Sequence, residues 1–293
     1  MKRRSLRGVC VLLVISVCAL GMTGCQAAKN QQANETVPEI VNGTEQSEAK
    51  IEDFDTWNIY SSEYLTELKD TYQLEDLTKY CKSDFDKVET ITKWVSGLWS
   101  HNGENQPEQD DPLYILDQVI NNGQQYRCVE YGVVIDACLQ ALGMYSRKLS
   151  MKMEEAETIE SGAGHVGCEV FLNDLQKWVF IDGQWGAIPM LGDTPLNAYE
   201  YGQAIRNQNS DLHIDWVNNV YNSPDSTYFD WIKPYLFYLN VTYVGTDGNK
   251  KAIMYVPESG KEITIFQKKY PIEMDHYTRD VKEFYLGQEE IIE

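Results

Sequence analysis

Basic side chains are scarce in this chain of 293 residues, which has 25 Lys and Arg against 45 Asp and Glu. Four of the basic residues and none of the acidic ones lie within residues 1–24. Residues 25–293 therefore carry 21 basic and 45 acidic side chains, a net charge of −24. A surface of this charge repels phosphate backbones and anionic headgroups, which argues against nucleic acid or an anionic lipid surface as a partner.

Long hydrophobic runs are also lacking. The apolar run near the start of the chain, Val9–Leu20, has twelve residues, fewer than the roughly 20 that a membrane-spanning helix needs. Basic residues between positions 2 and 7 precede this run, and the small residues of Met22-Thr23-Gly24-Cys25 follow it. That order is typical of a secretory signal rather than of a folded element.

The small residues ahead of Cys25 resemble a bacterial lipobox, in which the cysteine thiol takes a diacylglycerol and cleavage makes that cysteine the N-terminus. The resemblance predicts a lipoprotein signal peptide over residues 1–24 and lipidation at Cys25. An ordinary signal peptide and a short uncleaved anchor helix are the alternatives, and a cysteine at this position favours the lipobox. All three interpretations place the remaining chain outside the cytoplasm, with the N-terminus as its only membrane attachment.

Cysteine patterns typical of a disulfide scaffold or a zinc site are lacking. Four of the seven cysteines follow the lipobox, at positions 81, 128, 138 and 168, and they form no CxxC pair or Cys/His cluster with zinc spacing. A chain of this length can bury a core without disulfides. We therefore expect at most one disulfide, at least one free thiol, and no metal site.

The composition divides the chain into four parts. Residues 1–24 are the signal peptide, and residues 25–52, rich in Gln, Asn, Glu and Thr, are predicted to be a disordered tether. Residues 53–225 are predicted to form the main globular domain, followed by a β-rich C-terminal extension over residues 226–293.

Hydrophobic periodicity predicts helices first and strands afterwards, which indicates an α+β fold. The predicted helices are Ser61–Leu74, Asp86–Trp99, Leu113–Val119 and a central helix, Cys128–Leu142. The predicted strands are Ser146–Met151, His165–Leu172, Lys177–Asp182, Pro234–Val244 and Lys251–Tyr255. Residues 190–225 are expected to be loops and short helices.

The second and third predicted strands form a hairpin that brings His165 and Asp182 to one face. If Leu172 pairs with Leu175, His165 lies directly opposite Asp182. If Leu172 pairs with Lys177, the two are diagonal neighbours. Either register leaves them close enough for the Nδ1 atom of the imidazole to meet the carboxylate, which would orient a catalytic base.

Cys128 is the candidate nucleophile, because it begins the apolar central helix directly after a polar loop. The partial positive charge of a helix N-terminus favours a thiolate over a thiol. A nearby imidazolium at His165 would favour it further. The backbone N–H groups at the start of the helix are then candidate donors to an oxyanion.

Three segments in order resemble the transglutaminase-like superfamily. RCVEYGVVIDACLQALG, followed by MYSRKLS, is similar to a helix that begins with the catalytic cysteine and precedes a strand carrying an arginine, here Arg147. GHVGCEVFLNDLQKWVFID is similar to the HxxxEV and WxxxD strands of that family. The resemblance covers about residues 86–190. The family often has proline after the aspartate, where this chain has Gly183.

The resemblance implies a papain-like/transglutaminase-like core, in which the cysteine-bearing helix packs on an antiparallel sheet. It implies Cys128 as nucleophile, His165 as base and Asp182 as the residue that orients His165. Gln125, Glu169 and Gln184 are weaker candidates for an oxyanion donor or a supporting role, as are Trp99, His101 and Asn102 at the end of the preceding helix. No cofactor is implied.

The predicted function is therefore cysteine-dependent acyl transfer on amide bonds of an extracellular protein, peptide or cell-wall peptide, by hydrolysis or by transfer to an amine. A cell-wall peptidase with Asp-Cys-Ser-Gly at its catalytic helix is disfavoured, because this chain has Arg-Cys-Val-Glu. The alternative is a non-catalytic surface lipoprotein that uses the same fold for binding or assembly, with the aromatic-rich residues 226–293 as its contact surface.

Overall fold

The structure is a computed structural model that describes residues 57–245 and 248–285. The predicted signal peptide, the lipidation site Cys25 and the predicted tether lie outside the described residues. Within residues 57–245 and 248–285, no helix has both the length and the apolar character needed to cross a bilayer.

Eight helices and eleven strands are found in the described ranges. The helices are α1 (Ser62–Thr71), α2 (Leu74–Thr78), α3 (Asp84–Ser96), α4 (Pro112–Asn122), α5 (Cys128–Ala141), α6 (Ala198–Arg206), α7 (Asp225–Ile232) and α8 (Val281–Tyr285). The strands are β1 (Ser146–Lys152), β2 (Gly164–Leu172), β3 (Lys177–Ile181), β4 (Ala187–Leu191), β5 (Thr194–Pro195), β6 (Leu212–Trp216), β7 (Tyr238–Val244), β8 (Lys250–Tyr255), β9 (Ile265–Phe266), β10 (Tyr270–Pro271) and β11 (His276–Thr278).

The main sheet has six strands in the order β11-β8-β7-β1-β2-β3, and every pair except β11 with β8 is antiparallel. The predicted α+β class, with a central helix on a mostly antiparallel sheet, is confirmed. Strands β7 and β8 come from the region predicted as a C-terminal extension, and they continue the same sheet through the pairing of β7 with β1.

Both faces of the sheet are buried. On one face, α5 and the N-terminal helices pack against alternate residues of β2 and β3, among them Cys168, Val170 and Ile181. On the other face, Phe171 and Phe180 pack with residues of α6 and α7. Every residue of α5 from position 130 to position 141 is buried, as expected of an apolar helix enclosed by a domain core.

Several elements differ from the predictions in their bounds or type. The expected helix Ser61–Leu74 breaks at Gln73, whose φ of +52° is left-handed. The helix expected to reach Trp99 ends at Ser96. The strand expected from Pro234 begins at Tyr238, because Lys233–Tyr235 form a 3₁₀ turn. Residues 190–225 contain strands as well as helices, in a second sheet ordered β5-β4-β6.

Two glycines set the distance between α5 and the hairpin. A Cβ atom at Gly132 would lie 2.8 Å from Cγ1 of Val166 and 2.9 Å from the carbonyl oxygen of Gly167. A Cβ atom at Gly183 would lie 2.5 Å from Cδ1 of Ile135. Real side chains do not tolerate such contacts. Gly132 therefore allows α5 to approach the strand that carries His165, and Gly183 allows it to approach the segment that follows Asp182.

Candidate active site

Cys128 is the first residue of α5 and is half-buried. The backbone N–H of Arg127, just before the helix, donates to Oε2 of Glu130 at 2.9 Å, which fixes the helix start. The Cys128 sulfur interacts with the imidazoles of His101 and His165 and with the backbone N–H of Val166. A thiol at a helix N-terminus with these partners has the surroundings of a reactive cysteine.

His165 lies on β2 and Asp182 directly follows β3. Leu172 pairs with Lys177, so the register that makes His165 and Asp182 diagonal neighbours is confirmed. The expected nitrogen was wrong: Nε2 of His165, not Nδ1, lies 2.8 Å from Oδ2 of Asp182. Diagonal neighbours are about 7–8 Å apart at the backbone, so the more distant ring nitrogen reaches the carboxylate. Nδ1 is left for the thiol of Cys128.

The Asp182 carboxylate is fully buried and has two further donors. The Tyr228 hydroxyl donates to Oδ2 at 2.8 Å, and the backbone N–H of Trp185 donates to Oδ1 at 3.2 Å. Three hydrogen bonds satisfy this buried carboxylate and hold it in place.

Aromatic rings cover the His165 side of the site. The ring of Trp231 lies edge-on to His165 at 4.8 Å, and Tyr235 lies 5.9 Å from it. Trp185 packs against Trp231 at 4.9 Å. Sequence reasoning missed Tyr228, Trp231 and Tyr235 as site residues. Tyr228 and Trp231 lie three positions apart on one face of α7, and Tyr235 follows in the 3₁₀ turn. The spacing alone does not say which surface these rings cover.

The pKa values of the two central groups move in opposite directions. Burial raises the pKa of Cys128, but hydrogen bonds to His101 and His165, together with the His165 charge, lower it to about 6. Burial lowers the pKa of His165, but the Asp182 carboxylate and the hydrogen bonds to Asp182 and Cys128 raise it to about 10. Between these values the pair is a thiolate and an imidazolium.

The three weaker candidates lie in different surroundings. Gln125 is exposed, and its backbone carbonyl accepts from Nδ2 of Asn105 at 2.8 Å. Gln184 is buried at the edge of the site and donates to the Tyr221 hydroxyl at 3.2 Å. The role of either side chain as an oxyanion donor therefore stays a prediction from the sequence.

Glu169 does not support His165. Four positions further along β2, its carboxylate accepts from Arg147 Nη2 at 2.7 Å, from the backbone N–H of Ala198 at 3.0 Å and from the Tyr285 hydroxyl at 2.8 Å. Both ionised groups of the Arg147–Glu169 pair are buried. This is a structural ion pair whose loss would leave an uncompensated charge in the core.

Buried indole nitrogens lie near the site. Trp99 and Trp185 each have an Nε1 atom without a hydrogen-bond partner in the described part of the chain. Trp99 stacks on Tyr131, one helical turn after Cys128, at 4.1 Å. The four described cysteines are free, and Cys138 and Cys168 are buried in the core as predicted.

No protein-family model matches the chain, and no curated protein matches it. Solved structures that share part of the fold include a candidate cysteine protease from Cytophaga hutchinsonii (16% identity, TM-score 0.34, covering 51% of this chain and 45% of that one). A candidate protease from Parabacteroides distasonis has 15% identity and a TM-score of 0.28, and the match covers 41% of this chain and 26% of that one. The transglutaminase of red sea bream has 13% identity and a TM-score of 0.33, and the match covers 78% of this chain and 41% of that one.

The chain spans less than half the length of each of these proteins. Because each of these TM-scores is below 0.5, the function has to be inferred from this chain's own residues.

Proposed function

We propose that the protein is a cysteine-dependent acyl-transfer enzyme that acts on amide bonds, with Cys128, His165 and Asp182 as its triad. The observation that carries the proposal is the unbroken line of contacts from the Cys128 sulfur through His165 to the buried Asp182 carboxylate. Two residues in contact that favour each other's charged forms are the arrangement that activates a thiol nucleophile.

The geometry supports a two-step mechanism. The Cys128 thiolate attacks the amide carbon, and backbone N–H groups at the start of α5 face the developing oxyanion. The C–N bond then breaks, and the proton on Nδ1 of His165 moves to the leaving amine, which leaves a thioester. Nδ1 next takes a proton from water or from a second amine, whose attack on the thioester releases Cys128. Asp182 holds the ring throughout.

Water as the second substrate would make the enzyme a peptidase or amidase, and an amine would make it a crosslinking transferase. We further propose that the protein works outside the cytoplasm, attached to the bacterial membrane by a lipid on Cys25, and that its substrate is an extracellular protein, peptide or cell-wall peptide. The signal sequence and lipobox motif support that location.

The test uses a peptide mixture rich in glutamine and in cell-wall stem peptides, incubated with purified protein and a fluorescent primary amine. Mass spectrometry separates hydrolysed, deamidated and amine-labelled products. We expect products from wild type and none from Cys128→Ala. Cys81→Ala is the matched control, because that free thiol bonds, among the residues that the structure describes, only to α3, at the Asp86 carbonyl and the Thr90 hydroxyl. A product that Cys128→Ala forms at the wild-type rate would refute the proposal.

The non-catalytic binding module has no specific observation in its favour. A binding surface does not require a buried carboxylate with three donors behind a histidine. Retention of the cellular phenotype by Cys128→Ala would favour this alternative.

A further inference from the structure

The loop that follows α3 lies along the segment that leads into α5. This loop, residues 97–111, has no regular secondary structure. Five hydrogen bonds join it to residues 124–131: Tyr131 Oη to the Trp99 carbonyl (2.7 Å), Asn102 N–H to the Tyr126 carbonyl (2.8 Å), Asn105 Nδ2 to the Gln125 carbonyl (2.8 Å) and to Gln124 Oε1 (3.4 Å), and Arg127 Nη1 to Gln106 Oε1 (3.3 Å).

These bonds hold His101 beside Cys128. The residue lies between two of the joined positions, Trp99 and Asn102. Its imidazole lowers the pKa of the Cys128 thiol through a hydrogen bond. The His101 side chain is exposed, whereas His165, the other imidazole at the sulfur, is 3% exposed. The sulfur therefore has one buried and one solvent-facing imidazole.

The two imidazoles differ in what they can do. His165 is paired with a carboxylate, so its ring is held as an imidazolium and serves as the proton donor and acceptor. No carboxylate is bonded to His101 in the described structure. An imidazole offers an N–H in either protonation state, which is sufficient for a hydrogen bond to a thiolate without any proton transfer.

We propose that His101 is a second catalytic imidazole, which donates a hydrogen bond to the Cys128 sulfur from the solvent side. This inference rests on the proposed function and adds a residue to its centre. The bond stabilises the thiolate before attack. It also assists deacylation, because Cys128 is then the leaving group and a thiol with a more stable anion leaves faster.

The test measures alkylation of Cys128 by iodoacetamide as a function of pH, with the Cys128 peptide quantified by mass spectrometry. His101→Phe removes the donor but keeps a planar ring, and His101→Gln keeps an N–H donor. His213→Phe is the matched control, because His213 is exposed and bonds only to the Asp211 carbonyl. Thermal unfolding of each variant shows whether the fold is retained.

We expect His101→Phe to raise the pH midpoint of alkylation by about one unit, the effect of losing one hydrogen bond to a charged group. At a pH well below both midpoints, alkylation should slow about tenfold. His101→Gln should restore most of the difference, and His213→Phe should match wild type. A His101→Phe profile that overlays the wild-type profile would overturn the inference.

The alkylation assay needs no amide substrate, so its result is separate from that of the proposed function. A shifted midpoint without any substrate turnover would support the hydrogen bond from His101 to Cys128 and count against the proposed enzyme activity. Once a substrate is known, His101→Phe should lower kcat more than it changes KM, because the bond is to the reacting sulfur and not to the substrate.

Discussion

Replacement of Asp182 by Asn tests the triad most directly. The carboxylate accepts from Nε2 of His165, from the Tyr228 hydroxyl and from the backbone N–H of Trp185. Asn has nearly the same shape and keeps one carbonyl oxygen, but it has no charge and brings an NH2 group. If that NH2 group faces Nε2, the ring nitrogen must accept, and the proton of a neutral imidazole moves to Nδ1.

The magnitude follows from the two shifted pKa values. Burial lowers the pKa of His165, and Asp182 is the largest cause that raises it to about 10. Without the charge we expect this pKa to fall to its ordinary value of 6.5 or lower, a change of roughly 3.5 units or about 5 kcal/mol. The Cys128 pKa then rises from about 6 toward 9.0, less the part of the lowering that His101 still supplies. Alkylation near pH 7 should therefore slow by about 10-fold to 100-fold.

The assay is the alkylation of each cysteine in one digest, measured from about pH 5 to about pH 10 around the unperturbed thiol value. Cys81 is free and partly exposed, so its profile should be the same in both proteins. Cys138 and Cys168 are buried and become reactive only if the variant has unfolded. A folded Asp182→Asn protein whose Cys128 profile overlays that of wild type would refute the reasoning.

Three further predictions concern the same site. In wild type, turnover should be lost as the pH falls through about 6, because the Cys128 thiolate is protonated. It should also be lost as the pH rises through about 10, because the His165 imidazolium is deprotonated. A pH–rate profile checks both limbs. Gly132→Ala should destabilise the fold by about 1–3 kcal/mol in urea unfolding, because its methyl group would overlap the Gly167 carbonyl and Val166; an unchanged midpoint would contradict this. Tyr228→Phe should lower the free energy of unfolding by about 1.5–3 kcal/mol in urea at neutral pH, because the Asp182 carboxylate loses one of three hydrogen-bond donors. An unchanged free energy of unfolding would mean that the hydrogen bond is not made.

Local signals predicted the parts of the site that are close in sequence. The helix that begins at Cys128 follows from an apolar run with a polar loop before it and Gly143 after it, and that glycine has a φ of +78°. Strand alternation placed His165 and Asp182 on one face, because the period of two holds in either register. These features depend on neighbours within about 20 residues.

Features that depend on distant packing were not predictable. The nitrogen that meets Asp182 depends on the register, which alternation alone leaves open. The role of Glu169 depends on Ala198 and Tyr285, which lie 29 and 116 positions away in the chain. A carboxylate on a half-buried strand and a carboxylate in a core ion pair look alike in sequence, since only the fold supplies the partner.

The C-terminal region shows why the catalytic pair depends on more than the three motifs. Tyr228 donates to Asp182, and the ring of Trp231 covers His165. Both residues lie on α7, which packs on the face of the sheet opposite α5. A low-dielectric environment strengthens the Asp182–imidazolium attraction and also raises the cost of either charge without its partner. The aromatic cover and the Tyr228 hydrogen bond therefore act together: the cover excludes water from the ion pair, and the hydroxyl supplies the donor that water would otherwise provide.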